Sequence, residues 1–140
     1  MHHAFQAMLE ELREDEESRA VVLASTGKAF SAGGDFEMMR EANADPAVRD
    51  ELIDGARDLL LTLIDIEQPI VVAMQGPAIG LGATVALGCD AIVAARGATL
   101  ADTHVVAGLV AADGGCLAWP TAVGMLGARR HLLTGEHLTA

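Results

Sequence analysis

The sequence predicts a single α/β domain built on a largely parallel sheet, and three observations lead there. Two continuous β-branched and apolar runs, Arg19–Ser25 and Ile70–Gln75, are too short for helices and suit strands buried on both faces. Each run leads through a glycine-rich loop into a stretch with helical character, the alternation that assembles parallel sheets. The chain has 140 residues, 51% of them apolar, enough for one core and too few for two domains. No internal repeat or low-complexity linker divides residues 1–140.

The elements follow in order. Phe5, Met8, Leu9 and Leu12 recur at helical spacing within Met1–Glu17, an amphipathic helix with an acidic end. After the first strand and the Thr26-Gly27 turn comes a glycine-rich stretch, Lys28 to Asp35. A short helix is expected over Phe36–Ala42, starting close to Asp35. Asp45-Pro46 reads as an N-cap with proline at the first helical position. The helix it opens has Leu52, Ala56, Leu59, Leu60 and Leu63 on one face and is expected to end near Gln68-Pro69. Beyond the second strand, the loop Gly76–Gly82 precedes an apolar helix to about Leu87. Ala91–Ala94 and Thr99–Ala101 read as short strands, and Val105–Val110 as extended. Gly114-Gly115 marks a turn, with helices expected from Trp119 to Gly124 and from Leu126 to Thr134 before Gly135. Thr139-Ala140 resembles an N-cap, so the chain is expected to stop within its architecture.

Composition narrows the function. Aromatics are 3% of the chain, so the core is expected to consist of Ala, Val, Leu, Ile and Met. The formal net charge of −11 argues against a surface that tracks nucleic-acid phosphates. Most acids fall in Glu10–Glu17 and Asp45–Glu67, read as solvated helix faces. Cys89 and Cys116 have neither metal-ligand nor disulfide-framework spacing and are expected to be buried structural thiols. With no secretory signal pattern and no apolar run of about 18 residues, the protein reads as soluble and cytoplasmic.

Chemistry concentrates in two loops, each between a strand and a helix. The first is Lys28-Ala29-Phe30-Ser31-Ala32-Gly33-Gly34-Asp35, the second Gly76-Pro77-Ala78-Ile79-Gly80-Leu81-Gly82-Ala83-Thr84. Glycine lets a backbone approach a ligand closely, and free N–H groups at a helix N-terminus suit negative charge. Tight strand-to-helix packing would produce either loop equally well. Three common alternatives fail. Val85 stands where a Rossmann fingerprint needs its third glycine or alanine, a phosphate-cradling loop lacks its upstream glycine, and Ser31 lies outside any G-x-S-x-G elbow.

The stretch VVLASTGKAFSAGGDFEMM resembles the first signature of the crotonase (enoyl-CoA hydratase/isomerase) superfamily, and QPIVVAMQGPAIGLGATVALGCDAIVAARGATLA resembles the second. The stretch VVAGLVAADGGCLAWPTAVGMLGARRHLLTGE is similar to the segment after the family's active site, so the likeness runs from about Arg19 to Ala140. The resemblance implies a spiral of ββα units, incomplete at both ends, without the family's N-terminal hairpin and C-terminal helices. It implies an oxyanion hole made by the backbone N–H groups of Gly34 and Leu81, which would hold a CoA-thioester oxygen as it becomes an enolate. It places Ala32, Gly33, Gly34 and Asp35 along the pantetheine and adenine portions of CoA, and Lys28 either near a phosphate or in solvent as a turn lysine. Leu81 stands where relatives often have glycine, a harmless change because the donor is main chain.

The resemblance also marks a departure. Typical hydratases carry a glutamate in the helix after the second loop and another downstream, and here Thr84 and His104 occupy those positions. Thr84 is kept as a substrate contact, since a neutral hydroxyl is no carboxylate base. His104 suits proton transfer near neutral pH, or is a hydrogen-bonded loop histidine. Asp113, in Ala-Asp-Gly-Gly, resembles an aspartate of the naphthoate-synthase branch near the reacting acyl group, or forms an Asx turn or N-cap. Asp90 is expected to be a structural cap, and His2, His3, His131 and His137 to lie at the surface or at helix ends. No metal is expected. Nor is a separate cofactor, CoA being part of the substrate. The implied activity is that of an acyl-CoA-processing lyase or isomerase, His104 or Asp113 moving the proton. A catalytically inactive acyl-CoA-binding or scaffolding homologue is the alternative, and a nucleotide-binding module the weaker third. A homotrimer or hexamer is the family expectation, with neither nucleic acid nor membrane as partner.

Overall fold

The computed structural model describes residues 2–139, with side chains from Ala4 onward, so the side chains of His2 and His3, on which an expectation rests, and Ala140 lie outside what is described. Helix α1 (His2–Arg13) leads to strand β1 (Val21–Ala24), then α2 (Phe36–Ala44) and α3 (Pro46–Asp65). Strands β2 (Ile70–Met74) and β3 (Ala78–Ile79) precede α4 (Leu81–Gly88), β4 (Ala91–Ala94) and β5 (Thr99–Ala101). A 3-10 helix (His104–Ala107), α5 (Gly115–Thr134) and β6 (Leu138–Thr139) complete the order.

The helix starts follow their caps. The Asp35 carboxylate accepts from the Glu37 N–H, and that of Asp45 from the Ala47 N–H, with Pro46 in the first turn. Asp90, expected to be a cap, instead ties two strands: its carboxylate accepts from the Ile70 N–H at 2.8 Å and links the start of β4 to that of β2.

Strands β1, β2 and β4 form one parallel sheet with β2 central. One face carries Ile70, Val72 and Met74, each at most 4% exposed, and packs on α4 and α5 through Ala83, Ala86, Trp119 and Ala128. A second cluster joins α1, α3 and β2 through Leu9, Leu59, Leu63 and Ile70. Val22 and Val93 lie on the other face and are largely exposed, so burial on both faces, expected for β1, does not hold within this chain. Trp119 adds an aromatic to a core expected to be wholly aliphatic, its ring 5.2 Å from that of His131. His131 is accordingly buried in the last turn of α5, whereas His137 lies at the surface as expected.

Other expectations are corrected. Residues 105–110 are not extended: Val106 and Ala107 donate to the Thr103 carbonyl, and Gly108 closes the 3-10 turn. These local bonds outweigh the β-propensity of the valines. Helix α5 begins at Gly115, four residues before the expected Trp119, and continues to Thr134 across a break at Gly124. Thr139 pairs with Thr99 in an antiparallel bridge instead of capping a helix. Cys116 is exposed in the first turn of α5, while Cys89 is half-buried, its thiol pushed up to about 11 by desolvation and by the neighbouring Asp90. Among the described residues no helix is long and apolar enough to cross a membrane.

Candidate active site

The two-residue strand β3, absent from the sequence reading, organises the site. Ala78 forms a parallel bridge with Ser31 on one side and pairs with Leu100 of β5 on the other. The Ser31 N–H donates to the Pro77 carbonyl and the Ile79 N–H to the Ser31 carbonyl, each at 3.0 Å. Three chain segments therefore run parallel and leave this short sheet together. Counting on from that shared row brings the backbone to Gly34, to Leu81 and to the Thr103-His104 pair at one end of the sheet.

The second loop turns sharply at Gly80 (φ 57°, ψ −125°), a conformation open to glycine, and its N–H donates to the Ala101 carbonyl at 2.9 Å. Leu81 is then the first residue of α4. The Ala83 and Thr84 N–H groups return to the Gly80 carbonyl, whereas those of Leu81 and Gly34 donate to no carbonyl among the described residues. Gly34 and Leu81 both line a cavity of about 480 Å³ together with Ala32, Gly33, His104 and Asp113. Its remaining wall is mostly apolar, with Phe36, Met39, Leu52 and Leu109. Gly34 also borders an apolar cavity of about 240 Å³ with Phe5, Phe30 and Val85, and a larger one of about 800 Å³ rimmed by Glu10, Glu51, Asp58 and Asp65.

The other predicted residues divide. Lys28 is exposed and its carbonyl lies against Gly76, away from these cavities. The Asp35 carboxylate borders the 800 Å³ cavity while capping α2. Thr84 lies one turn behind Leu81 and is 1% exposed, its hydroxyl without a hydrogen-bond partner. It does not line the 480 Å³ cavity.

His104 and Asp113 do come together. The imidazole Nε2 lies 3.5 Å from Asp113 Oδ2, while Nδ1 lies 2.7 Å from Oδ1 of Asp102, a fully buried residue. Asp102 is not among the residues that the sequence singles out; its spacing of two from His104, directly after a strand, is the available signal. Ligand-capable atoms of Asp102, His104 and Asp113 lie within 4.8 Å of one another, a cluster that linear spacing did not reveal. Each imidazole nitrogen faces a different carboxylate, an arrangement suited to proton transfer. The hydrogen bond to Asp102 raises the His104 pKa above the ordinary imidazole value, with help from Asp113 and against burial. Burial raises the Asp113 carboxyl above its usual range, against the opposing pull of His104.

A pH dependence of stability follows. A histidine whose folded pKa is raised stabilises the fold fully below its unfolded pKa of about 6.5, and that contribution is lost as pH rises through the folded value. Melting temperature is therefore expected to fall as pH rises from about 6 through the raised His104 pKa. The fall is expected to be smaller in His104→Gln, as thermal melts of both proteins across that window would show.

Residues 1–140 match the enoyl-CoA hydratase/isomerase family. An enoyl-CoA hydratase/isomerase from Mycobacterium paratuberculosis superposes with a TM-score of 0.93 at 40% identity, over 99% of this chain and 56% of that one. An enoyl-CoA hydratase from Mycobacterium smegmatis gives a TM-score of 0.91 at 34% identity, over 100% and 54% of the respective chains. The 1,2-epoxyphenylacetyl-CoA isomerase of Escherichia coli is 31% identical over 145 residues, covering 100% of this chain and 54% of the relative. The chain thus spans about half the length of these relatives.

Proposed function

This chain belongs to the enoyl-CoA hydratase/isomerase family and has its fold, and we propose that it converts an acyl-CoA thioester through an enolate. The observation that carries this reading is that Gly34 and Leu81, whose N–H groups donate to no carbonyl among the described residues, line one cavity with His104 and Asp113. In the proposed complex the thioester oxygen accepts from both N–H groups. Donors already aimed at the position where negative charge develops need no reorganisation as the α-proton leaves. The acyl group occupies the 480 Å³ cavity, whose apolar wall suits a hydrocarbon chain. The acid-rimmed 800 Å³ cavity is a poor seat for the nucleotide phosphates.

The reaction class we favour is proton transfer between carbons, which moves a double bond, rather than addition of water. Among the described residues one acid/base cluster reaches this cavity, and the members that line it are one imidazole and one carboxylate, His104 and Asp113, 3.5 Å apart. Proton transfer between carbons asks for a group that takes a proton at the α-carbon and returns it elsewhere on the same face. Two-carboxylate hydration asks for a second carboxylate where the buried, neutral Thr84 stands. A homotrimer or hexamer acting on soluble acyl-CoA, with coenzyme A as part of the substrate, completes the proposal. The exposed Val106, Val110, Leu117 and Leu126 support assembly of that kind.

A chromatographic and mass-spectrometric screen of the full-length protein against 2-enoyl- and 3-enoyl-CoA thioesters tests this. The expected product has unchanged mass and an altered retention time. A product heavier by one water would overturn the choice of isomerisation, and no turnover of any thioester would overturn the enzymatic reading.

A further inference from the structure

Asp102 is the one fully buried acid among the described residues, and its position is held from several sides. It directly follows β5, the strand that β3 registers against the two loops. Its Oδ1 accepts from the main-chain N–H of His104 at 3.2 Å and lies 2.7 Å from the same residue's Nδ1. Side chain and backbone of one residue are thus gripped by one oxygen. Space for the second oxygen comes from Gly115, where a Cβ would stand 2.5 Å from Oδ2 and 3.6 Å from the Thr84 hydroxyl. Oδ2 and the Thr84 hydroxyl are both buried without a hydrogen-bond partner. A wholly buried carboxylate carries a large desolvation cost unless its interactions offset it, and here those interactions converge on His104.

We propose that Asp102 is a positioning residue that holds His104 with a proton on Nδ1, so that Nε2 faces the reacting carbon beside Asp113. This rests on the enolate reading above and adds to it the group that sets the tautomer and the aim of the imidazole. A carboxylate only accepts, so a ring nitrogen at 2.7 Å from it carries the hydrogen. The tautomer of a functional imidazole is set by what its other nitrogen meets. Asp102 does not line the cavity, so substrate contact is left to its neighbours. Among the described residues, the titratable groups facing the ring are Asp102, after β5, and Asp113, ahead of α5. The loop before α4 presents only Gly80, whose Cα side lies against the ring Cε1.

The test is Asp102→Asn, which keeps the size of the side chain and removes its obligate acceptor character. The expected result is a fall in kcat on the order of 10²-fold or more, since a mis-set tautomer can cost up to about 10⁴. KM for the thioester should not change. The imidazole limb of the kcat–pH profile should move down toward the ordinary value. Nitrogen-15 spectra of the His104 ring provide a readout independent of turnover, with Nδ1 protonated in the wild type and that preference lost in the variant. The wild-type spectrum alone suffices if the variant does not fold, because a neutral ring protonated on Nε2 would overturn the proposal. So would a variant with unaltered kcat, pH profile and ring spectrum. Full turnover by His104→Ala would instead defeat the enolate assignment of His104, while the ring spectrum would still decide the role of Asp102.

Discussion

Leu81→Pro is expected to reduce thioester turnover by about 10² to 10³ while leaving the fold in place, the usual effect of removing one oxyanion donor. A backbone N–H is rarely open to mutagenesis, but this position permits it. Leu81 is the first residue of α4, where proline is favoured and where the lost N–H has no helical partner. Proline restricts the residue before it to extended backbone. Gly80, at φ 57° and ψ −125°, is the mirror image of such a conformation, open to a residue without a Cβ. The Ala83 and Thr84 N–H groups can still donate to the Gly80 carbonyl, so the helix start survives. The leucine side chain does pack against the Leu9–Leu59 cluster, and Leu81→Ala controls for its loss. The alanine variant keeps the donor and should retain most of the turnover. Equal losses in the two variants would mean that the side chain matters and the N–H does not.

Substituting the acid/base pair is expected to have the largest effect of all. Loss of a positioned general acid or base typically costs about 10² to 10⁴ in rate. His104→Ala and Asp113→Asn should each fall in that range, with CoA-ester binding retained because neither group belongs to the loop backbone. The pair is spaced for one proton relay, with Nε2 and Oδ2 3.5 Å apart. Groups that act as a unit are strongly non-additive, so the double variant should be no slower than the worse single. Losses that multiply would show two independent roles, and turnover intact in the double variant would remove both residues from the chemistry.

Much of this was legible in the chain. The strands at residues 21–24, 70–74, 91–94 and 99–101, the cap at Asp45 and a helix start beside Asp35 follow from β-branched runs, glycine spacing and Asx-Pro chemistry. The two loops were equally visible, because a strand followed by glycines and a helix is a local pattern. What sequence could not yield was non-local. Strand β3 is two residues long and exists through its pairing with Ser31 and β5, so no periodicity announces it. The 3-10 turn at His104 replaced an expected extended segment because side-chain and main-chain acceptors at Asp102 and Thr103 took up its N–H groups. Asp102 is inconspicuous in the sequence for the same reason. A single aspartate in a loop is ordinary until folding buries it beside an imidazole. Burial of His131 against Trp119 likewise arises only when α5 folds back across its break at Gly124.

In the proposed mechanism the Gly34 and Leu81 N–H groups stabilise an enolate while His104 and Asp113 move its proton. Its most direct test is hydrogen exchange at the α-carbon, followed by mass spectrometry of an acyl-CoA incubated with the full-length protein in deuterated water. Deuterium is expected at the α-carbon of recovered thioester, strongly reduced in Leu81→Pro and abolished with the acid/base pair removed. Thioester that binds to the wild-type protein and returns without deuterium at that carbon, whatever else happens to it, would contradict this mechanism.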